Sequence, residues 1–170
     1  MTITTNDSQI ATRLLDPKTR RAAFEQMVDI YSEQLYWQIR RLVFVHEDAD
    51  DILQNVFLKA WKNIDTFRND SKLSTWLYRI ALNESVDFIR KKKNDTSLPA
   101  VEESLAQKLM ADEYFDGDEI QATLQEAIAS LPDKQRIVFT MKYFEEMKYE
   151  DMSALLGTSV GALKPPIIWQ

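Results

Sequence analysis

Between Phe67 and Lys93 the sequence FRNDSKLSTWLYRIALNESVDFIRKKK leaves the chain little choice but helix. A short polar loop leads in, Ser74 can cap the first turn, and Trp76, Leu77, Ile80 and Ile89 recur with a helical period. Arg79, Asn83, Asp87 and Arg90 recur at the same spacing on another face, and the segment closes on Arg90, Lys91, Lys92 and Lys93. Cations hold phosphates, aromatic rings stack on bases and an amide reads base edges, so the pattern suits a strand of nucleic acid. It also suits a solvated helix whose lysines complement the negative end of the helix dipole.

The residues before this segment read as helix too. Asp16 can cap a helix with Pro17 at its first position, and Ala22, Phe24, Met27, Val28, Tyr31, Leu35, Trp37, Ile39 and Leu42 supply an apolar face. The length of that stretch allows a break near Ser32–Gln34. A second helix is expected from Ala49 to about Asn63, with Ile52, Val56, Phe57, Ala60 and Trp61 on one side and Asp50, Asp51, Gln54, Asn55 and Lys59 on the other.

Composition bears on what such a chain can do. Three glycines and five prolines in 170 residues argue against a turn-rich β protein. The absence of cysteine excludes a thiolate metal site, a single histidine, His46, leaves little for a histidine-based site or acid-base catalyst, and no nucleophile or metal constellation is evident; neither catalytic residues nor cofactors are expected. The N-terminal MTITTNDSQIATRLLD has no basic region followed by an apolar core, and no apolar run approaches membrane-spanning length. The chain therefore reads as soluble and cytoplasmic, without membrane insertion.

The formal net charge of -6 is unevenly distributed. Residues 1–94 carry a net +2, residues 95–120 a net -7 and residues 121–170 a net -1. An acidic average therefore does not exclude a local basic surface. The acidic stretch, with Pro99 and Gly117 and no sustained apolar stripe, reads as a linker holding a short helix around Ser104–Met110. This divides the chain into residues 1–94, a linker at 95–119 and residues 120–170. In the last part Ile120–Ser130 is expected to be helical, and Asp133 caps a helix carrying Ile137, Val138, Met141 and Phe144. A short helix then follows Tyr149; Gly157 ends it, and Thr158 or Ser159 caps another holding Val160 and Leu163. Helix, glycine turn, helix is the spacing of a helix-turn-helix, shared with generic helical hairpins.

Taken in order, DADDILQNVFLKAW, the Phe67–Lys93 segment, the acidic linker and LPDKQRIVFTMKYFEEMKYEDMSALLGTSVGALK strongly resemble the extracytoplasmic-function (ECF) class of bacterial RNA polymerase sigma factors, over roughly Thr19 to Lys164. The resemblance implies an all-α chain with a sigma region 2-like helical bundle and a sigma region 4-like helix-turn-helix. Its implied partners are core RNA polymerase (clamp helices and flap), promoter DNA and an anti-sigma factor. By position, Asp50, Asp51, Gln54, Asn55, Phe57 and Lys59 resemble the surface that docks on the β′ clamp helices. Phe67, Arg68, Asn69 and Ser71 match the loop that holds a flipped -10 base. Arg79, Ile80, Asn83 and Asp87, with Arg90, Lys91, Lys92 and Lys93, match the helix that wedges the duplex and holds its backbone. Trp76 could face DNA or the core. Thr158, Ser159, Val160, Gly161, Ala162 and Lys164 match the -35 reader. The linker's Glu102, Glu103, Asp112, Glu113, Asp116, Asp118 and Glu119 would mimic nucleic acid in the RNA exit path, or merely solvate the segment.

The resemblance fails after Lys164. Where related sequences continue the recognition helix with basic and apolar residues, this one reads PPIIWQ, and Pro165 and Pro166 disfavour further helix. The helix is expected to be cut to about two turns, with Ile167, Ile168 and Trp169 able to cover core. Promoter-specific initiation is the reading, with a decoy impaired in -35 recognition as its alternative.

Overall fold

The computed structural model describes residues 2–94, 105–113, 115 and 117–164. The chain divides into two units, Met1–Asn94 and Asp95–Gln170. All regular structure among the described residues is helical.

The first unit contains α1 (Thr2–Leu15), α2 (Arg20–Val43), α3 (His46–Lys62), a 3-10 turn (Ile64–Thr66) and α4 (Leu73–Asn94). Helix α1 has no counterpart among the expected elements. Its opening residues are mostly polar and β-branched, and its buried apolar residues, among those described, are only Ile10, Ala11 and Leu14, while Leu15 is exposed. Residues Asp16–Thr19 form a turn rather than the start of α2. The Asp16 carbonyl accepts from the Thr19 and Arg20 amides at 3.1 and 2.9 Å, and its carboxylate accepts from the Lys18 amide at 3.0 Å. Helix α2 then runs unbroken through Ser32–Gln34.

Burial follows the helical period. Ala23, Met27, Tyr31, Leu35, Ile39 and Leu42 form the inner stripe of α2, Ala49, Ile52, Val56 and Ala60 that of α3, and Leu73, Leu77, Ala81, Val86 and Ile89 that of α4. The small residues Ala49 and Ala60 have no exposed surface, which marks close approach of α3 to its neighbours. The α2–α3 corner is held by polar contacts. Phe44 takes a left-handed φ of 62° and donates its amide to the Arg40 carbonyl at 3.0 Å. Buried Arg40 donates to the Tyr36 hydroxyl at 2.8 Å, and that hydroxyl lies 2.7 Å from His46 Nδ1 at the start of α3.

The second unit contains α5 (Leu105–Ala111), α6 (Glu119–Ala129), α7 (Asp133–Tyr143), α8 (Tyr149–Leu156) and α9 (Val160–Leu163). Asp118 caps α6 by accepting from the Gln121 amide at 2.9 Å. Asp133, expected to cap α7, is instead its first residue and pairs with Arg136 at 3.2 Å, with Pro132 in the capping position. Ala122, Ile128, Ile137, Met141, Met152 and Leu163 are buried.

Gly157 ends α8 at φ 63°, where its amide donates to the Ser153 carbonyl at 3.0 Å. A Cβ there would meet nothing within 4 Å, so the requirement for glycine is conformational rather than steric. A left-handed conformation costs an L-residue roughly 1–2 kcal/mol. Gly157→Ala is accordingly expected to destabilise this unit by that amount, read as a lower unfolding midpoint in a region-resolved hydrogen-exchange or thermal experiment. An unchanged midpoint would contradict the assigned turn geometry.

Candidate nucleic-acid interface

Helix α4 separates two surfaces. Its inner face is buried, while Arg79, Asn83, Asp87 and Arg90 are exposed at successive steps of three or four residues and so form one outward stripe. Trp76 and Ile80 are half-buried at the same spacing. The stripe thus combines an amide, two guanidinium groups and a carboxylate with apolar side chains beside them. Lys91 is also exposed. Lys93 lies within α4, but its side chain is outside the described residues.

Two expected contacts are placed differently from the rest. Lys92 turns toward α3, where it pairs with Asp48 at 2.9 Å and sits 5.6 Å from the Phe88 ring centroid. Phe67, expected to face DNA, is 3% exposed and its ring packs 5.1 Å from that of Trp76. A buried ring cannot stack on a base without leaving the core, so Phe67 anchors the polar loop instead of lining it. Beyond it Arg68 and Asn69 are exposed and Ser71 half-buried, with Asn69 at φ 59°. Asparagine tolerates that left-handed conformation better than most residues.

Helix α3 presents the other cluster. Asp50, Asp51, Gln54, Asn55 and Lys59 are exposed, and Gln54 donates to Asp50 at 3.2 Å. Phe57 is half-buried, its ring edge-on to Phe24 at 6.4 Å. Lys59 pairs with Glu84 of α4. Sequence reasoning overlooked Leu58, which is 58% exposed in the middle of this cluster, and assigned Trp61 to the interior although it is 43% exposed. The available signal was their position on the polar side, Leu58 one turn beyond Gln54 and Asn55 and Trp61 one turn beyond Leu58.

In the second unit Ser159 caps α9, accepting from the Ala162 amide at 3.3 Å, and Thr158 donates to the Leu156 carbonyl at 3.4 Å. Ser159, Gly161, Ala162 and Lys164 are exposed and Val160 half-buried; a Cβ on Gly161 would meet nothing within 4 Å. Lys142 and Lys164 lie 4.9 and 5.9 Å from the Tyr149 ring centroid. Lys164 is extended at φ -70° and ψ 136°, as expected for a residue before proline. Pro165 to Gln170, including the residues expected to cover core, lie outside the described residues, as do Glu102, Glu103 and Asp116.

Among the described residues there is no group of three or more His, Cys, Asp or Glu suited to a metal, and no helix long and apolar enough to cross a membrane.

Residues 27–94 match sigma-70 region 2 and residues 121–164 match sigma-70 region 4. Two helical units in this order define a sigma-70-type promoter-recognition subunit of RNA polymerase, whose catalysis resides in the polymerase. ECF RNA polymerase sigma factor SigW of Bacillus subtilis is 37% identical over 155 residues, spanning 85% of this chain and 83% of that protein. The ECF RNA polymerase sigma-E factor of Escherichia coli K12 is 26% identical over 160 residues, spanning 88% and 83%. CnrH, solved in complex with the cytosolic domain of CnrY, superposes with a TM-score of 0.59 at 23% identity, over 93% of this chain and 87% of that one. The sigma factor RpoE, solved with the anti-sigma factor NepR from Bartonella quintana, gives a TM-score of 0.58 at 24% identity, over 82% and 86%. The chain belongs to the ECF RNA polymerase sigma factors and directs promoter-specific transcription initiation.

Proposed function

We propose that this sigma factor captures the -10 element as an opened strand between loop 67–72 and the outer stripe of α4, while α3 docks on the polymerase clamp. The observation that carries this reading is the two-sided character of α4. Its inner face is buried against the bundle, leaving Arg79, Asn83 and Arg90 together on the outside. Unpairing a base costs a few kcal/mol, which stacking and pocket hydrogen bonds offset for selected sequences. Trp76 and Ile80 supply an apolar edge for the junction, Asn83 an amide for base edges, and Arg90 and Lys91 charge for phosphates. In the second unit the exposed start of α9 is the -35 reader. The solved relatives CnrH and RpoE are seen with CnrY and NepR, which supports an anti-sigma partner for this chain too. Its place of action is the cytoplasm, where the polymerase works.

Run-off transcription with core polymerase and a promoter library tests the reading as a whole; no promoter-dependent transcript would sink it. Within it, Asn83→Ala should relax preference at one promoter position. Lys91→Ala should weaken binding to all sequences and reduce the salt slope by about one. Lys91 serves better than Lys92, whose removal also breaks the pair with Asp48. Uniform loss for both variants across the library would refute the division into reader and phosphate anchor.

A further inference from the structure

Asp7 of α1 is a carboxylate only 8% exposed, so it needs partners. One oxygen accepts from the Tyr31 hydroxyl of α2. Burial, then the hydrogen bond and charge of Asp7, push that hydroxyl well above an ordinary phenol, so it remains a donor. The other oxygen accepts from the backbone amide of Leu73 at 3.2 Å. Leu73 is the first residue of α4, where amides lack partners inside the helix. Lys72 before it offers no side-chain acceptor, and the first turn of α4 contains no acidic residue. Asp7 therefore supplies, from a distant point in the chain, the acceptor and negative charge that a local cap would provide.

We propose that Asp7 is a positioning residue for strand capture: by capping α4 from α1 it fixes the downstream end of loop 67–72. The upstream end is held from the same side. Arg20 donates to the Leu14 carbonyl at 3.0 Å and to Asp65, in the 3-10 turn, at 2.8 Å. Phe67 then enters the core. Between these anchors only the exposed crest of the loop is left to order around a base, so less freedom is lost on binding. The inference rests on the reading that this loop captures a -10 base.

The test uses the full chain assembled with core polymerase and a pool of forked duplexes whose single-stranded arm is randomised. Asp7→Ala should weaken fork binding roughly tenfold, the loss expected for a hydrogen bond to a charged acceptor, with core affinity unchanged and faster hydrogen exchange at the Leu73 amide. Asp7→Asn retains an oxygen for that amide and should recover most of the binding. Parallel loss of core and fork binding in Asp7→Ala, or no recovery in Asp7→Asn, would overturn the positioning role. So would wild-type fork binding by Asp7→Ala while an Asn69→Ala, Ser71→Ala control loses it. A control that binds forks normally would sink the loop reading itself, and the inference with it.

Discussion

Replacing Asp51, Gln54 and Asn55 together with lysine should abolish competition for core polymerase, weakening binding by at least about a hundredfold, while the protein stays folded. All three side chains are exposed on α3. Exposed substitutions of this kind change stability by only about 0.5 kcal/mol. A docked surface responds differently: like charges brought together at an interface cost several kcal/mol, and about 1.4 kcal/mol is already tenfold in affinity. Leu58 sharpens the expectation, because a 58% exposed leucine surrounded by polar groups resembles the apolar centre of an interface with a polar rim. Lys59 is the poorer probe. Its partner Glu84 sits on α4 with its side chain only 14% exposed, so removing the lysine also strands a largely buried carboxylate. Competition against another sigma factor, with a thermal melt beside it, separates docking from folding. Unchanged affinity in the triple variant would remove α3 from the polymerase interface.

What the sequence revealed and what it hid follow one physical division. The α3 and α4 faces were legible because a helix maps a spacing of three or four residues onto one surface, which needs no knowledge of neighbours. Phe67 was not. An aromatic at the edge of a polar loop looks like a base-stacking group until the packing of Trp76 against it is known. Lys92 belonged to a run of four cations, but a step of one residue around the helix separates the outward Lys91 from Lys92, which meets Asp48 of α3, and the run gives no hint of which is which. Asp7 was hidden for the same reason more strongly. Its contact with Leu73 joins residues 66 apart, and the opening of α1 has too little apolar periodicity to announce a helix at all. Local signals therefore sufficed for the exposed faces of α3 and α4, whereas the braces around them are long-range.

Replacing Pro165–Gln170 with a basic, helix-forming segment should raise affinity for -35 duplex roughly tenfold to a hundredfold at moderate salt, leaving core docking unchanged. Helix α9 ends at Leu163 after four residues, and Lys164 already has the extended geometry that a following proline favours. In a helix-turn-helix the early residues of the second helix meet the bases, and backbone contacts around them hold the domain in register. Ser159, Gly161 and Ala162 are exposed for the first task, but they carry no charge for the second. Each phosphate neutralised releases counterions, so two or three added cations should steepen the salt dependence by about two to three in slope as well as tighten binding. Lys164 is the cation nearest the break, beside the Tyr149 ring at 5.9 Å, and should gain in importance once the helix continues past it. Binding of the altered chain to -35 duplex, measured across a salt series, decides the matter. If the original chain already binds one -35 sequence tightly and the replacement adds nothing, Thr158 to Lys164 suffice and the prolines do not limit recognition.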